Sequence, residues 1–145
     1  MRTSNLIQPI LLIEDNPVDL DLTLRAFKQR KLANPVEIAR DGEEALAIIE
    51  KWEKGAQVPV VILLDLNLPK VNGLEVLEAI KKHPEFRTIP VVVPTTSSES
   101  RDVNRSYQLG ANSYIVKPVD FDNFMEVARQ IELYWSVLNR PCDNK

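Results

Sequence analysis

The stretch Val60-Val61-Ile62-Leu63-Leu64-Asp65 decides the fold, because it is apolar without interruption and then stops at a carboxylate. Apolar side chains at every position, β-branched at the start, are typical of a parallel strand that is buried on both faces. The charged side chain of Asp65 follows at once where the strand ends. The stretch therefore predicts a central strand of a parallel sheet, with a candidate functional residue at its carboxyl end.

The remaining chain alternates short apolar runs with segments whose apolar residues recur at helical spacing. Such alternation predicts parallel strands joined by right-handed crossovers, with helices on both faces of the sheet. Five strands favour a flavodoxin-like, doubly wound (βα)5 fold of the α/β class, with a parallel sheet in the order 2-1-3-4-5. The other four predicted strands are Ile10–Ile13, Val36–Ala39, Ile89–Val93 and Tyr114–Val116. The predicted helices begin near Pro17, Asp41-Gly42, Gly73, Glu99 and Phe121, and the last one ends near Leu138.

Composition and charge are those of an ordinary globular domain: 145 residues, 44% hydrophobic and 27% charged. We predict one domain over residues 1–145, with a core over about 9–138 and short polar tails. The formal charge of −3 argues against a nucleic-acid partner. The only cysteine, Cys142, excludes an internal disulfide and fits a reducing compartment. Met1–Gln8 lacks the apolar core of a signal peptide, and no apolar run approaches the roughly 20 residues that cross a bilayer, so we expect a cytoplasmic protein without membrane contact.

Chemically active side chains are predicted to meet at the carboxyl ends of the strands. In the order 2-1-3-4-5 ligands bind outside those ends, where the strand order reverses between strands 1 and 3. Strand 1 ends in Glu14-Asp15 and strand 3 in Asp65, and three converging carboxylates favour a hard divalent cation such as Mg²⁺. Strand 4 leads to the hydroxyls of Thr95–Ser98 and strand 5 to Lys117. A cation, hydroxyls and an ammonium around a carboxylate are suited to accepting a phosphoryl group.

Each of these residues also has a purely structural interpretation. Asp15-Asn16-Pro17 could cap the first helix, and Asp65 could be a turn residue. Thr95–Ser98 could be a polar loop with a helix cap, and Lys117 could be solvated. The structural interpretations do not explain why four strand ends carry such residues together, so the functional hypothesis is preferred for the set.

The chain resembles the response-regulator receiver family, whose members are similar to the chemotaxis regulators. The resemblance covers essentially the whole chain and rests on five motifs in the expected order. The motifs are Ile13-Glu14-Asp15-Asn16-Pro17, Leu63-Leu64-Asp65-Leu66-Asn67-Leu68-Pro69, Asn72-Gly73, Val93-Pro94-Thr95-Thr96 and Tyr114-Ile115-Val116-Lys117-Pro118.

The resemblance implies a role for each matching residue. Asp65 would accept the phosphoryl group and would bind Mg²⁺, or another divalent cation such as Mn²⁺. Asp15 and the backbone carbonyl of Asn67 would complete the protein ligands, with Glu14 acting through a bound water. Lys117 would pair with the phosphoryl oxygens.

The same resemblance implies switch residues and a partner. Thr95 and Tyr114 would change position on phosphorylation, and the phosphoryl donor would be a partner histidine kinase. Pro94 departs from the family, which usually has an apolar residue there, so Thr96 is the second choice for the switch hydroxyl. Proline in a central strand predicts disrupted pairing, either because the strand ends at Val93 or because a bulge removes Pro94 from the ladder.

A finer resemblance is to single-domain response regulators that partner bacterial phytochrome histidine kinases. It rests on Leu63–Lys70, Ile89–Val93, Asn112–Tyr114 and above all on the ending Ile131-Glu132-Leu133-Tyr134-Trp135. Only seven residues follow Leu138, so we expect the output to pass through protein contacts.

The last helix also predicts a homodimer. Its apolar positions cover about half of the helix circumference, whereas one core-facing stripe needs a little over 100°. The alternative is that the helix is wedged deeply against the first helix and the sheet.

Two other classes of protein fit the architecture less well. A phosphatase with an aspartate nucleophile usually needs a second carboxylate just beyond it, and here that residue is the amide Asn67. A flavin or nucleotide binder would need a glycine-rich loop after strand 1, and none is present. We therefore expect no substrate turnover. The only histidine, His83, is interpreted as a surface residue away from the site, and Trp52 as part of the core.

Overall fold

The structure is a computed structural model that describes residues 8–32, 34–66, 68–95, 104–105, 107–111, 113–116, 125 and 129, with only the backbone at 94–95 and 113–116. Five parallel strands form one sheet in the order β2-β1-β3-β4-β5, which confirms the predicted flavodoxin-like α/β topology. The strands are β1 Ile10–Ile13, β2 Val36–Ala39, β3 Val61–Leu64, β4 Val91–Thr95 and β5 Ser113–Val116. The helices are α1 Pro17–Gln29, α2 Gly42–Glu53 and α3 Gly73–Lys82. Residues 104–105, 107–108, 125 and 129 are also helical.

Side-chain caps fix where the three helices begin. Asn16 accepts hydrogen bonds from the backbone N–H groups of Val18 at 2.9 Å and Asp19 at 3.2 Å, and Pro17 occupies the first helical turn. Asp41 accepts the N–H of Glu44 at 2.8 Å at the start of α2. A capping box formed by Asn72 and Glu75 begins α3. Each helix therefore begins directly after a strand's carboxyl end and the short loop that follows it.

The core consists of two layers on opposite faces of the sheet, as a doubly wound fold requires. Alternate residues of β1 point to opposite faces, with Leu11 and Ile13 in one layer and Ile10 and Leu12 in the other. The larger layer lies under α2 and α3, and it includes Trp52, which confirms the predicted core position of that side chain. The other layer lies under α1.

The boundaries of β4 differ from the prediction. Ile89 donates its N–H to the Phe86 carbonyl at 3.1 Å, so it belongs to a turn, and the strand begins two residues later at Val91. The strand also continues past Val93 to Thr95, because Pro94 lies opposite Ile115 and Thr95 opposite Val116 in the ladder with β5. The expectations that the strand stops at Val93 or bulges there are therefore wrong.

Disrupted pairing at Pro94 is nonetheless found on the other edge of β4. Among the described residues, the pairing of β4 with β3 ends at Leu63↔Val92. The N–H of Ile62 donates to the Pro90 carbonyl at 2.9 Å, and every second residue of a strand faces the same neighbour. The missing N–H of Pro94 therefore faces β3 at the level of Leu64. The ladder ends on that side because proline has no hydrogen to donate.

His83 is a partly exposed residue that also makes contacts which the sequence did not predict. Its ring stacks on Phe86 with centroids 4.1 Å apart. Its Nδ1 accepts the N–H of Glu85 at 3.1 Å, and its Nε2 lies 3.2 Å from a carboxylate oxygen of Glu53 in α2. His83 therefore ends α3 and links it to α2, because both ring nitrogens have partners.

None of the helices in the described part of the chain combines the length and the apolar character that a membrane span requires.

Candidate functional site

Backbone hydrogen bonds bring the carboxyl ends of β1 and β3 together. Ile13 lies opposite Leu64, and the N–H of Asp65 donates to the Ile13 carbonyl at 3.0 Å. On the other side of β1, the N–H of Glu14 donates to the Ala39 carbonyl at 3.0 Å. The first residues after the two strands are thus held by the sheet itself. Their side chains emerge side by side at the point where the strand order reverses.

Three carboxylates meet there. Carboxylate oxygens of Glu14, Asp15 and Asp65 all lie within 4.8 Å of one another. Glu14 and Asp65 are each only 4% exposed, whereas Asp15 faces solvent. One oxygen of Glu14 also accepts the backbone N–H of Asn16 at 3.1 Å. No second group of this kind occurs among the residues that the structure describes.

The geometry of this cluster fits a divalent cation. Buried carboxylates that share a site repel one another, and bringing their charge out of water is costly. A small divalent cation binds oxygen ligands at about 2.0–2.1 Å, which places oxygens on opposite sides of the ion roughly 4 Å apart. The separations in the cluster, up to 4.8 Å, are close to this span. Glu14, Asp15 and Asp65 are therefore the described residues that could hold such an ion.

The capping and the metal interpretation of Asp15-Asn16-Pro17 are compatible. The neighbouring residue Asn16 provides the cap of α1, which leaves the Asp15 carboxylate in the cluster. The sequence could not decide between the two roles because aspartate and asparagine are both good caps. The structure assigns the cap to the amide and the cluster position to the acid.

The β3–α3 loop, residues 66–72, follows Asp65 and is closed tightly at its base. The N–H of Gly73 donates to the Leu66 carbonyl at 3.0 Å. A Cβ atom at Gly73 would collide with the backbone of Asp65 and Leu66. The chain passes so close to itself that only glycine fits there, which is the physical reason for the Asn72-Gly73 motif.

The tip of the same loop contacts the start of α2, which the sequence did not reveal. Lys70 has a φ angle of 69°, and its ammonium nitrogen lies 3.6 Å from a carboxylate oxygen of Asp41 and 3.6 Å from one of Glu43. The negative charges of Asp41 and Glu43 raise the pKa of Lys70 above its usual value. Gly42 approaches Val71 so closely that a Cβ atom would collide with its carbonyl. No sequence pattern predicts these contacts, because they join residues from two separate loops.

The other predicted site residues are only partly described. Asn67, Thr96–Ser98 and Lys117 lie outside the described residues. The backbones of Thr95 and Tyr114 lie in neighbouring strands at the same end of the sheet, opposite Val116 and Val93 respectively. The structure thus brings Glu14, Asp15 and Asp65 together, and the roles of the remaining residues stay predictions.

A doubly wound parallel sheet with a buried acidic cluster at its reversal point defines a class of α/β signalling and ligand-binding domains. Comparison with known proteins narrows that class. Residues 10–129 match the family described as the response regulator receiver domain. The chain therefore belongs to the response-regulator receiver family, and its function is that of a response regulator in a two-component phosphorelay.

Two relatives resemble the chain over most of its length. A probable methanogenesis regulatory protein, FilR2 of Methanothrix harundinacea, is 42% identical over 132 residues, which cover 90% of this chain and 85% of that protein. The response regulator Rcp1 of Synechocystis is 39% identical over 135 residues, which cover 91% of each.

Three solved structures show the same fold. The Mn²⁺-bound form of Rcp1 has a TM-score of 0.77 and 39% identity, covering 88% of this chain and 94% of that one. The phosphorylated cyanobacterial phytochrome response regulator RcpA has a TM-score of 0.78 and 39% identity, covering 90% and 94%. The bacteriophytochrome response regulator AtBRR has a TM-score of 0.73 and 47% identity, covering 93% and 99%.

Proposed function

We propose that Asp65 accepts a phosphoryl group from a partner histidine kinase in a Mg²⁺-dependent reaction, and that the phosphorylated protein signals through protein contacts. The observation that carries this proposal is the cluster of Glu14, Asp15 and Asp65 at the reversal point of the sheet. The Mn²⁺-bound Rcp1 structure and the phosphorylated RcpA structure support it as properties of related proteins.

The chemistry follows from the positions of the carboxylates. An oxygen of Asp65 attacks the phosphorus atom, so that an oxygen–phosphorus bond forms while the bond from phosphorus to the kinase imidazole nitrogen breaks. The imidazole leaves with the electron pair of that bond. When bound, Mg²⁺ or Mn²⁺ would neutralise charge on the phosphoryl oxygens. The sheet holds the backbone of Asp65 in place through its hydrogen bond to Ile13 at 3.0 Å, which orients the nucleophile before the donor arrives.

The remaining ligands and charge partners follow the family pattern. Asp15, Asp65 and the backbone carbonyl of Asn67 would bind the cation, and Glu14 would act through a water molecule. One oxygen of Glu14 already accepts the Asn16 N–H at 3.1 Å, which supports an indirect position for this carboxylate. Lys117 pairs with the new phosphoryl dianion. This set of roles rests on the motifs and on the cluster.

Thr95 and Tyr114 form the proposed switch. Phosphorylation draws the Thr95 hydroxyl towards the phosphoryl oxygens, and Tyr114 turns into the space that is vacated. The regular pairing of β4 with β5 up to Thr95↔Val116 supports Thr95, because Thr96 was the second choice only for a strand displaced at Pro94.

The upstream kinase is proposed to be of the phytochrome type. RcpA and AtBRR support this, since they are a phytochrome and a bacteriophytochrome response regulator. Phosphotransfer from a purified bacterial phytochrome kinase, compared between its two light states, tests the link. A rate that does not depend on light, or no transfer, would contradict it.

A homodimer through the last helix is also proposed. The apolar residues of that helix exceed what one buried stripe needs, although Met125 packs with Leu22 and Ala26 of α1. Sedimentation that shows only monomer at tens of micromolar, with and without phosphorylation, would refute the dimer. The absence of substrate turnover and the cytoplasmic location stay predictions from the sequence.

The direct test of the phosphoryl acceptor is a labelling experiment. The protein is incubated with Mg²⁺ and a small acyl phosphate, and the intact mass is measured. Asp65→Asn should abolish the added phosphoryl mass while the fold is retained, because the two side chains are nearly isosteric. Asp21→Asn, at an exposed residue paired with Arg25, is the matched control and should label like the native protein. Labelling of Asp65→Asn at the native level would refute the proposal.

A further inference from the structure

The β3–α3 loop is held at two levels. At its base, the N–H of Gly73 closes the loop onto Leu66 at 3.0 Å. At its tip, the N–H of Gly42 donates to the Pro69 carbonyl at 3.4 Å, and Gly42 lies against Val71. The loop that leaves the predicted cation site is therefore attached to the start of α2 as well as to α3.

Lys70 adds a charged attachment at the tip. Its ammonium lies 3.6 Å from carboxylates of both Asp41 and Glu43. Asp41 is itself fixed, because its other oxygen accepts the N–H of Glu44 at 2.8 Å as the cap of α2. The anchor on the α2 side is thus rigid.

The backbone of Lys70 is in the left-handed region, with φ at 69°. Residues other than glycine and asparagine rarely adopt this conformation. A lysine side chain does not itself stabilise this backbone conformation. The contacts that the side chain makes with α2 are the feature of the structure that accounts for a lysine in this position.

We propose that Lys70 is a positioning residue for the divalent-cation site, and that its bridge to Asp41 and Glu43 holds the β3–α3 loop in the conformation that binds the ion. This rests on the proposed function, in which Asp65 and the carbonyl of Asn67 bind the cation. Asn67 lies between Leu66, at the closed base, and Pro69, at the attached tip. Loss of the bridge therefore lowers cation affinity without removing any ligand.

If only the change in charge mattered, removing the positive charge of Lys70 would raise the affinity for the cation. Replacing Lys70 by a neutral residue leaves Asp41 and Glu43 uncompensated, and additional negative charge near a cation site strengthens cation binding. A weaker affinity in the neutral variant is thus a signature of lost positioning. It cannot arise from the change in charge.

The test is a titration of the metal-free protein with Mn²⁺ and Mg²⁺ by calorimetry, which reads the dissociation constant directly. Lys70→Met should bind roughly two- to fivefold more weakly, the range that exposed ion pairs support. Lys70→Arg should bind like the native protein, because it keeps the charge and the reach. Lys70→Glu should bind more weakly than the native protein, and adding Glu43→Lys to it should restore part of the affinity by reversing the pair.

Ionic strength and a second lysine provide the controls. At about 1 M salt the Debye length falls to about 3 Å, so the difference between native protein and Lys70→Met should shrink. Lys31→Met is the matched control, since Lys31 is also an exposed lysine with a positive φ, of 57°, beyond the far end of α1. It should leave the affinity unchanged.

The outcomes separate the two proposals. If the native protein binds neither cation, the proposed function fails. If the native protein binds and Lys70→Met binds equally well or more tightly, the positioning role of Lys70 is refuted while the metal site stands.

Discussion

The carboxylates of Glu14 and Asp65 approach within 4.8 Å of each other although both side chains are almost fully buried. The two residues lie on different strands, and the pairing of Ile13 with Leu64 places them next to each other. Holding two buried acids this close is unfavourable unless a cation or hydrogen bonds stabilise them. A divalent cation bound among these carboxylates is therefore expected to stabilise the folded protein.

Divalent cations should stabilise the native protein against unfolding. A ligand that binds only the folded state at 100 times its dissociation constant adds about 2.7 kcal/mol to the free energy of unfolding. Thermal unfolding with increasing Mg²⁺ or Mn²⁺ measures this. Asp15→Asn should reduce the shift in Tm, because it removes the exposed carboxylate of the cluster, and Asp21→Asn should retain it. An equal shift in Asp15→Asn and the native protein would exclude Asp15 as a ligand.

Pro94→Leu should stabilise the protein. The new N–H would face the Leu64 carbonyl, which has no partner in the ladder with β4 at that level. A hydrogen bond there contributes roughly 1–2 kcal/mol, and loss of the rigid ring offsets up to about 1 kcal/mol, so a net gain of about 1 kcal/mol is expected. Urea unfolding measures the gain, and hydrogen exchange should show a protected amide at residue 94. A variant that is less stable, or an unprotected amide, would show that the interruption is not caused by the missing N–H.

His83→Ala should destabilise the contact between α2 and α3. It removes the stacking on Phe86, the hydrogen bond from the Glu85 N–H and the contact with Glu53, which together predict a loss of about 1–2 kcal/mol. Urea unfolding measures the loss. Glu53→Gln, which can still accept a hydrogen bond from Nε2, should cost much less. Unchanged stability of His83→Ala would restore the simpler view of His83 as a surface residue.

The free energy of unfolding should depend on pH through Lys81. Its ammonium donates to the carbonyls of Arg87 at 2.9 Å and Ile89 at 2.8 Å, and burial lowers its pKa below the usual 10.5. Between the folded and the unfolded pKa, the unfolded chain holds more protons, so this residue makes stability rise as the pH approaches 10.5. The advantage of the native protein over Lys81→Met should therefore grow with pH in that window.

Urea unfolding at several alkaline pH values measures this difference. Lys82→Met is the control, because Lys82 is exposed and paired with Glu78 at 3.0 Å. If the difference in the free energy of unfolding between the native protein and Lys81→Met stays constant or shrinks as the pH rises, the expected pH dependence is contradicted.

Strong local patterns made most of the fold predictable. The boundaries of β1 and β2 were predicted correctly, since the apolar run of β1 and the half-polar strand β2 both end at polar residues. The boundaries of β4 were wrong because Ile89 is as apolar as a strand residue but lies in a turn, and because Pro94 was expected to end the strand. Whether a proline ends a strand depends on which neighbour its missing N–H faces, and the sequence does not contain that information.

The candidate site was predictable for residues that directly follow the carboxyl end of a strand. Glu14, Asp15 and Asp65 were expected together, and they are together. The attachment of Lys70 to α2 was not expected, because it depends on how two loops approach each other. The role of His83 was missed for the same reason, since its partners come from α2 and from the turn after α3.

The most direct test of the central claim is to locate the phosphoryl group chemically. After incubation with Mg²⁺ and a small acyl phosphate, borohydride reduces an aspartyl phosphate to the alcohol, which marks the position permanently for peptide mapping. We predict homoserine at position 65 and nowhere else, with no conversion when the divalent cation is removed by a chelator. Conversion at Asp15 or another carboxylate instead of Asp65, or equal conversion without the cation, would contradict the proposed function.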